Sequence, residues 1–538
     1  MIAGKSNHFK FSIVLVLVLG LILVGGVGVL ASEDRSGGKI TIALEKEPVN
    51  LDPVQALDTP SSRVIEQIFD PLISYDEGTK YVPNAAKSWE NPDPLTWIFH
   101  LREGMKFHNG EEVTAEDLVY AWRQFLPVTD FEAPRNRLFM VDEIIKMDDY
   151  SVKVKLTEPF APFLSVIAAG YMAPVPKDLV EEKGHEWFNR NPVGSGPFKL
   201  VEWKKGEQVV LERFEDYWMK KPNLESVVFR PIPESAVVTT ELLTGGVDLS
   251  ARVATDDIPR LKDNPDVIID TSGGLSYFYM AFNLWTSEKA NIVARQDVGE
   301  NPFSDIRVRK AIYHAVPWNR IADELFKYDV SGARSYGPIP PAMGQYYNPE
   351  LEDIALEYDP DKAKELLEEA GYPDGFETRI FAPVDPNRET FATMAKTYLQ
   401  RVGIEASIKV LEWSVYLPKL ASGDADMFLL GWLMAPDPYN VHYYLFHSDS
   451  WGPPGNRQRY KNEKVDELIN KGQKITDVEE RIEIYKELQR MIMSEYPHIP
   501  LYYTNEVRPY NKRVQDFQAH SALGFPLVTS WNNVWVKE

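Results

Sequence analysis

The chain has 538 residues, 44% of them hydrophobic and 12% aromatic, more apolar material than one ordinary domain buries, which predicts two or three lobes. Asp and Glu number 80 against 58 Lys and Arg; that field repels phosphate backbones and anionic lipid surfaces, so nucleic acid is excluded as a partner and a self-repelling monomer is expected. Cysteine is absent, which removes disulfides, thiolate metal sites and a lipid-modified cysteine, and no cofactor or metal is expected.

At the N-terminus Lys5 and Lys10 precede an apolar run, 11–30, interrupted only by Ser12 and glycines. Ala31 before Ser32 supplies the small residue that signal peptidase needs, so 1–31 reads as an export signal. The run of about 20 residues is also long enough for an uncleaved anchor. Removing 1–31 takes two lysines and no acid, leaving 56 basic residues against 80 acidic ones, a net charge of −24. The expected location is the periplasm or the outer face of the cytoplasmic membrane.

After a Ser/Gly joint at 32–38, the alternation of 39–44 predicts a strand, and 64–73 reads as a helix ending near Pro71. Between 81 and 191, strands at 96–101 and 151–156 mix with one helix, capped by Thr114 and running through Glu116 and Asp117 to Trp122. Gly194-Ser195-Gly196-Pro197-Phe198 is a turn that returns the chain to strands at 198–203 and 208–213. A helix capped by Ser235 runs to Thr244 and stops at Gly245-Gly246. From 278 onward, helices at 305–316, 360–370, 388–402, 465–471 and 478–493 alternate with strands at 378–382, 405–411 and 427–430, an α/β pattern.

Enzymatic constellations are missing from this string: there is no Gly-x-Ser-x-Gly elbow, no phosphate loop and no His-Glu-x-x-His helix. His442 and His447, five apart, do not share a helical face and make a poor metal pair. Asp424 with Asp426, and Asp437 near His442, are the acids a secreted hydrolase would use, but among 80 acids such neighbours arise by chance. The hydrolase is therefore the cross-class alternative, and the expectation is a protein that binds and does not catalyse.

Three blocks, Ala86-Lys-Ser-Trp89-Glu, Leu95-Thr-Trp-Ile-Phe-His-Leu-Arg102-Glu-Gly-Met-Lys-Phe107-His-Asn-Gly110 and Val113-Thr-Ala-Glu-Asp117-Leu-Val-Tyr-Ala-Trp122, resemble the signature of the oligopeptide/dipeptide solute-binding proteins, extracellular solute-binding protein family 5. Glu47-Pro48, Leu51-Asp52-Pro53, 194–198, 214–218, 243–248, 305–312, 358–372 and 499–502 follow in the family's order, so the resemblance spans the exported chain. Within the signature, Trp89, Trp97, Phe99 and Trp122 read as scaffold. The resemblance implies a two-lobed α/β periplasmic-binding-protein fold of the class II type with an extra inserted domain. Lobe I would be 39–75, 194–275 and 500–538, the insert 76–193, and lobe II 276–499.

The function it implies is that of a receptor for an ABC importer, closing on a short peptide and delivering it to a permease and its ATPase subunits. An enclosed peptide amine needs an acid. The family places that acid after a Gly-Trp, as Trp-x-Ala-Asp-Tyr-x-Asp-Pro; here Gly431 to Asn440 is one residue shorter and lacks the first Asp, so Asp437 matches the second. Trp413 and Trp432 match the family's cleft tryptophans, Tyr439 and Tyr443 belong to the same aromatic stretch, and Asp70, Trp285 and Arg457 are cleft candidates by position. Leu420 and Leu429 stand where some peptide binders carry basic residues, which points to a ligand with fewer charges. Aromatic walls of this kind suit a short oligosaccharide as the alternative ligand.

Overall fold

The structure, a computed structural model, describes residue 35 and residues 37–537 except 57, 127–136, 287–292, 294–298, 326–331 and 453–454. The apolar run 11–30 and the cleavage point after Ala31 lie outside the described residues. Among those described, no helix is long and apolar enough to cross a membrane.

Lys39–Leu44 (β1) forms where expected, and all but its first residue are buried, because it lies inside a sheet. It runs parallel to Ser226–Pro231 on one side and to Leu249–Ser250 on the other. A strand covered on both faces has to be apolar throughout, as this one nearly is. Among the described residues the same sheet has eleven strands and is carried from one half of the molecule to the other by two long ones. The first is Val267–Phe282 (β2), whose second half lies between Met427–Leu433 (β3) and His498–Asn511 (β4).

β2 and β4 run antiparallel from Val267 opposite Asn511 to Ala281 opposite His498, and their register slips between Gly273 and Tyr277. At the slip a Cβ on Gly274 would stand 2.2 Å from the Thr504 carbonyl oxygen. Only glycine permits that approach, so the Gly pair lies inside a continuous strand.

The region 76–193 holds a separate antiparallel sheet of four strands: Ala86–Asp93, Thr96–Leu101, Ser151–Leu156 and Val141–Lys146, in that spatial order. Trp97, Phe99 and Trp122 are buried and Trp89 is half-buried. The Phe99 and Trp122 rings lie 6.0 Å apart. The helix Ala115–Arg123 is held at its start by Asp117, whose carboxylate accepts from the Thr114 backbone N–H at 2.9 Å and from its hydroxyl at 2.8 Å.

Other boundaries move by identifiable causes. Thr59–Ile68 (α1) begins before residue 64, because Asp58 accepts from the Ser61 N–H and Pro60 sits in the first turn. It stops at Ile68, and Phe69 is already extended ahead of Asp70-Pro71. Ser235–Thr244 ends at Gly245 (φ +77°) as expected, but Glu234 holds the cap position and Ser235 is the first helical residue. Ile306–Ala315, Pro360–Glu369, Pro386–Leu399 (α2) and Glu463–Lys474 fall within a few residues of their expected spans. Trp413–Ser422 (α3) and Pro438–Phe446 (α4) are helices that the sequence reading did not contain. Val478–Ser494 (α5) reaches α4, with the Tyr485 ring 5.1 Å from that of His442.

Candidate functional site

A cavity of about 600 Å³ is enclosed by α1 and the chain just after it, by residues 168–171, by the loop that follows β3 and by the C-terminal loop 521–530. Its size suits a small-molecule ligand. Leu275, one residue past the Gly pair of β2, forms part of the wall. Leu433 at the end of β3 stays 72% exposed within a strand because it faces this space. Among the residues lining the cavity only Glu66 and Asp70 carry charge, and both are acids.

Asp70 is buried among neutral donors. The Trp218 indole N–H donates to Oδ2 at 2.8 Å, the Tyr217 hydroxyl to Oδ1 at 3.1 Å and the Asn84 amide to Oδ1 at 3.5 Å. Burial pushes its carboxyl up to about 6, against the downward pull of those hydrogen bonds. Glu66 accepts from the Gly524 backbone N–H at 2.9 Å. Burial raises its carboxyl also, and the charges of Arg63 and Arg508 act in the opposite sense.

The aromatic stretch is split among different surroundings. Trp432 lies on β3 opposite Tyr277, and its indole N–H donates at 2.7 Å to Asn440, which lines the cavity. Tyr439 and Tyr443 stack on each other along α4 with centroids 5.2 Å apart, and Tyr439 also meets Phe160 edge-on at 5.5 Å. Trp413 stands apart at the start of α3, 50% exposed, stacked on Tyr416 at 5.9 Å. The Arg388 guanidinium lies 5.9 Å from its ring and lines a second cavity of about 340 Å³.

Asp437 caps α4 by accepting from the Tyr439 N–H at 2.9 Å, and Arg481 of α5 grips both its oxygens at 2.7 Å. Asp437 is not part of the cavity wall, although its neighbours Pro436 and Asn440 are. The other acids of the hydrolase alternative are similarly engaged: Asp426 pairs with Arg379 at 2.7 Å and Asp424 pairs with Lys419. Trp285 lies under the Arg459 guanidinium at 4.3 Å. Leu420 and Leu429 are buried in the core.

Sequence reasoning placed Asp70 at the cleft but missed Glu66, Asn440 and the loop 521–530. Glu66 had a signal, an acid in an apolar helix four residues before Asp70. The C-terminal loop had none, since only the fold returns it to α1.

The description bacterial extracellular solute-binding proteins, family 5, matches residues 80–453. A heme-binding protein A of Haemophilus influenzae is 28% identical, over 92% of this chain and 92% of its own. A dipeptide-binding protein of Escherichia coli is 27% identical, over 84% and 86%. Among solved structures, the ABC transporter-associated periplasmic binding protein DppA of Helicobacter pylori, in complex with the peptide STSA, superposes with a TM-score of 0.72 at 27% identity, covering 94% of this chain and 99% of that one. The fold is thus the two-lobed α/β periplasmic-binding architecture expected from the sequence.

Proposed function

The chain belongs to the bacterial extracellular solute-binding proteins, family 5, and from that premise we propose that it encloses a short peptide between two lobes and hands it to a membrane permease powered by separate ATPase subunits. The observation that carries this reading is the charge of the cavity: the buried Asp70 and the half-buried Glu66 line it, and no lysine or arginine does. An ammonium group taken out of water needs a carboxylate partner or costs several kcal/mol. Asp437 is already neutralised by Arg481. Asp70, held only by neutral donors, has an unmatched charge to offer, and Glu66 lies beside it. In this reading these lobe I acids receive the α-amine.

Lobe I is then 39–75, 194–275 and 500–538, lobe II is 276–499 and the insert is 76–193. Closure pivots where β2 and β4 pass Gly273 and Gly274. Ligand contacts to both lobes favour the closed form, which is the form presented to the permease. The chain acts as a monomer outside the cytoplasmic membrane. Binding without turnover agrees with the commitment of Asp424, Asp426 and Asp437 to cations.

The test is native mass spectrometry of the purified chain, followed by thermal melting against di- to pentapeptides, short oligosaccharides and heme. A ligand that binds only the folded state raises the melting temperature. Peptides are expected to do so; stabilisation by sugars or heme alone overturns the assignment.

A further inference from the structure

We propose that Tyr171 limits the size of the ligand's first side chain and that Arg137 is the positioning residue that holds its ring in place. This rests on the peptide reading and deepens it.

Among the described residues, five aromatic side chains line the acidic cavity: Phe69, Tyr75, Tyr171, Tyr217 and Phe525. Phe69, Tyr75, Tyr217 and Phe525 are buried, whereas Tyr171 is half-buried and keeps ring surface open at the wall. Tyr171 sits in a single turn, Gly170–Met172, that packs against α1: a Cβ on Gly170 would stand 3.3 Å from Cγ of Glu66. The ring therefore belongs to the part of the wall beside the acids that take the amine. That is where the first side chain of a bound peptide leaves its backbone.

A ring that swings between rotamers does not bound a pocket, and a ring that is held does. Tyr171 is held twice. Its backbone is pinned at the next residue, where the buried Trp122 donates its indole N–H to the Met172 carbonyl at 2.8 Å. Its ring carries the Arg137 guanidinium on one face, 3.6 Å from the centroid, a close cation–π contact. Arg137 is fixed in turn: the guanidinium lies 5.3 Å from the ring of buried Phe125, and its Nη2 donates at 2.8 Å to the carbonyl of Ala56, buried in the chain ahead of α1. Arg137 does not itself line the cavity, so it acts through Tyr171 and leaves the cavity acidic. Trp122, Phe125, Arg137 and Tyr171 all belong to 76–193, so the insert bears on ligand choice although the acids stand on lobe I.

The test measures Ala-Ala-Ala against Trp-Ala-Ala by calorimetry on the full chain, as a ratio of affinities within each protein, which a general loss of stability does not move. Wild type is expected to bind Ala-Ala-Ala at least about tenfold more tightly. Tyr171→Ala and Arg137→Met each bring the ratio to within about threefold, Arg137→Met changes nothing further in the Tyr171→Ala background, and Tyr171→Phe keeps the wild-type ratio. Equal binding of the two peptides by wild type overturns the size limit, and an unchanged ratio in Arg137→Met overturns the positioning role; both leave the peptide reading intact. Binding of neither peptide sinks the peptide reading and the size limit with it. The hold on the ring is then decided without ligand, by fluorine NMR of the chain labelled with fluorotyrosine: the Tyr171 resonance, assigned by its loss in Tyr171→Phe, moves clear of its wild-type position in Arg137→Met, or the clamp is refuted as well.

Discussion

Asp70 and Asp437 are equally buried, 4% exposed each, and their surroundings are opposites. The loop that follows β3 closes its charges internally: Asp437 caps α4 and takes two guanidinium N–H groups from Arg481. The chain after α1 leaves a carboxylate against an indole, a phenol and an amide, with no cation attached. Balanced burial is what a scaffold needs, because removing either member exposes the other to the full cost of desolvation. Unbalanced burial serves something that arrives from outside.

The largest effect is expected at the balanced site. Asp437→Ala strands Arg481 and removes the cap of α4, for a loss of about 3–5 kcal/mol from the pair and about 1 from the cap. Urea denaturation reads it directly. A loss below about 1 kcal/mol would break the contrast, since Asp437 would then be as dispensable to the fold as a ligand contact.

At the unbalanced site the expected signature is a pH dependence. The Asp70 carboxyl lies at about 6 in the folded chain against an ordinary 3.8, so the folded state binds the proton more tightly. The resulting stability is present below the ordinary value and is lost as pH rises through about 6, a change of about 3 kcal/mol. Asp70→Asn removes this component, so the stability difference between variant and wild type shifts in the variant's favour between pH 4 and pH 7.5. Affinity for Ala-Ala-Ala runs the other way, rising through about pH 6 as the carboxylate ionises, and falls about tenfold in Asp70→Asn at pH 7.5. Parallel pH curves for the two proteins, in both denaturation and calorimetry, would remove Asp70 from the site.

Local chemistry made much of the fold readable before any coordinates: the Thr114–Asp117 helix start, the Gly245 stop and the strand 405–411 form where their residues say they should. Elements whose cause lies elsewhere in the chain were not readable. Gly273-Gly274 looks like a break, yet the pair is there because the Thr504 carbonyl passes against it inside an unbroken strand. Asp437-Pro438 looks like a turn, and the same two residue types equally cap and open a helix, which is what they do. The site divides in the same way. Asp70, expected at the cleft by position, does line the cavity, whereas the commitment of Asp437 depends on Arg481 of α5, which no local pattern announces.

Trp432 sharpens the comparison with the smallest effect, because it joins the two regions without carrying charge. Its indole bonds Asn440, which lines the acidic cavity, and its ring lies 5.3 Å from Tyr444 of α4. Trp432→Phe keeps an aromatic ring and loses that one hydrogen bond, for an expected cost of about 1 kcal/mol in stability. If charge selects the ligand, affinity for Ala-Ala-Ala moves by no more than about threefold and its pH profile keeps the wild-type midpoint. If the aromatic wall selects it, affinity falls about tenfold or more with the pH profile unchanged, and recognition then belongs to the side chains along β3 and α4 rather than to the unmatched acid across from them.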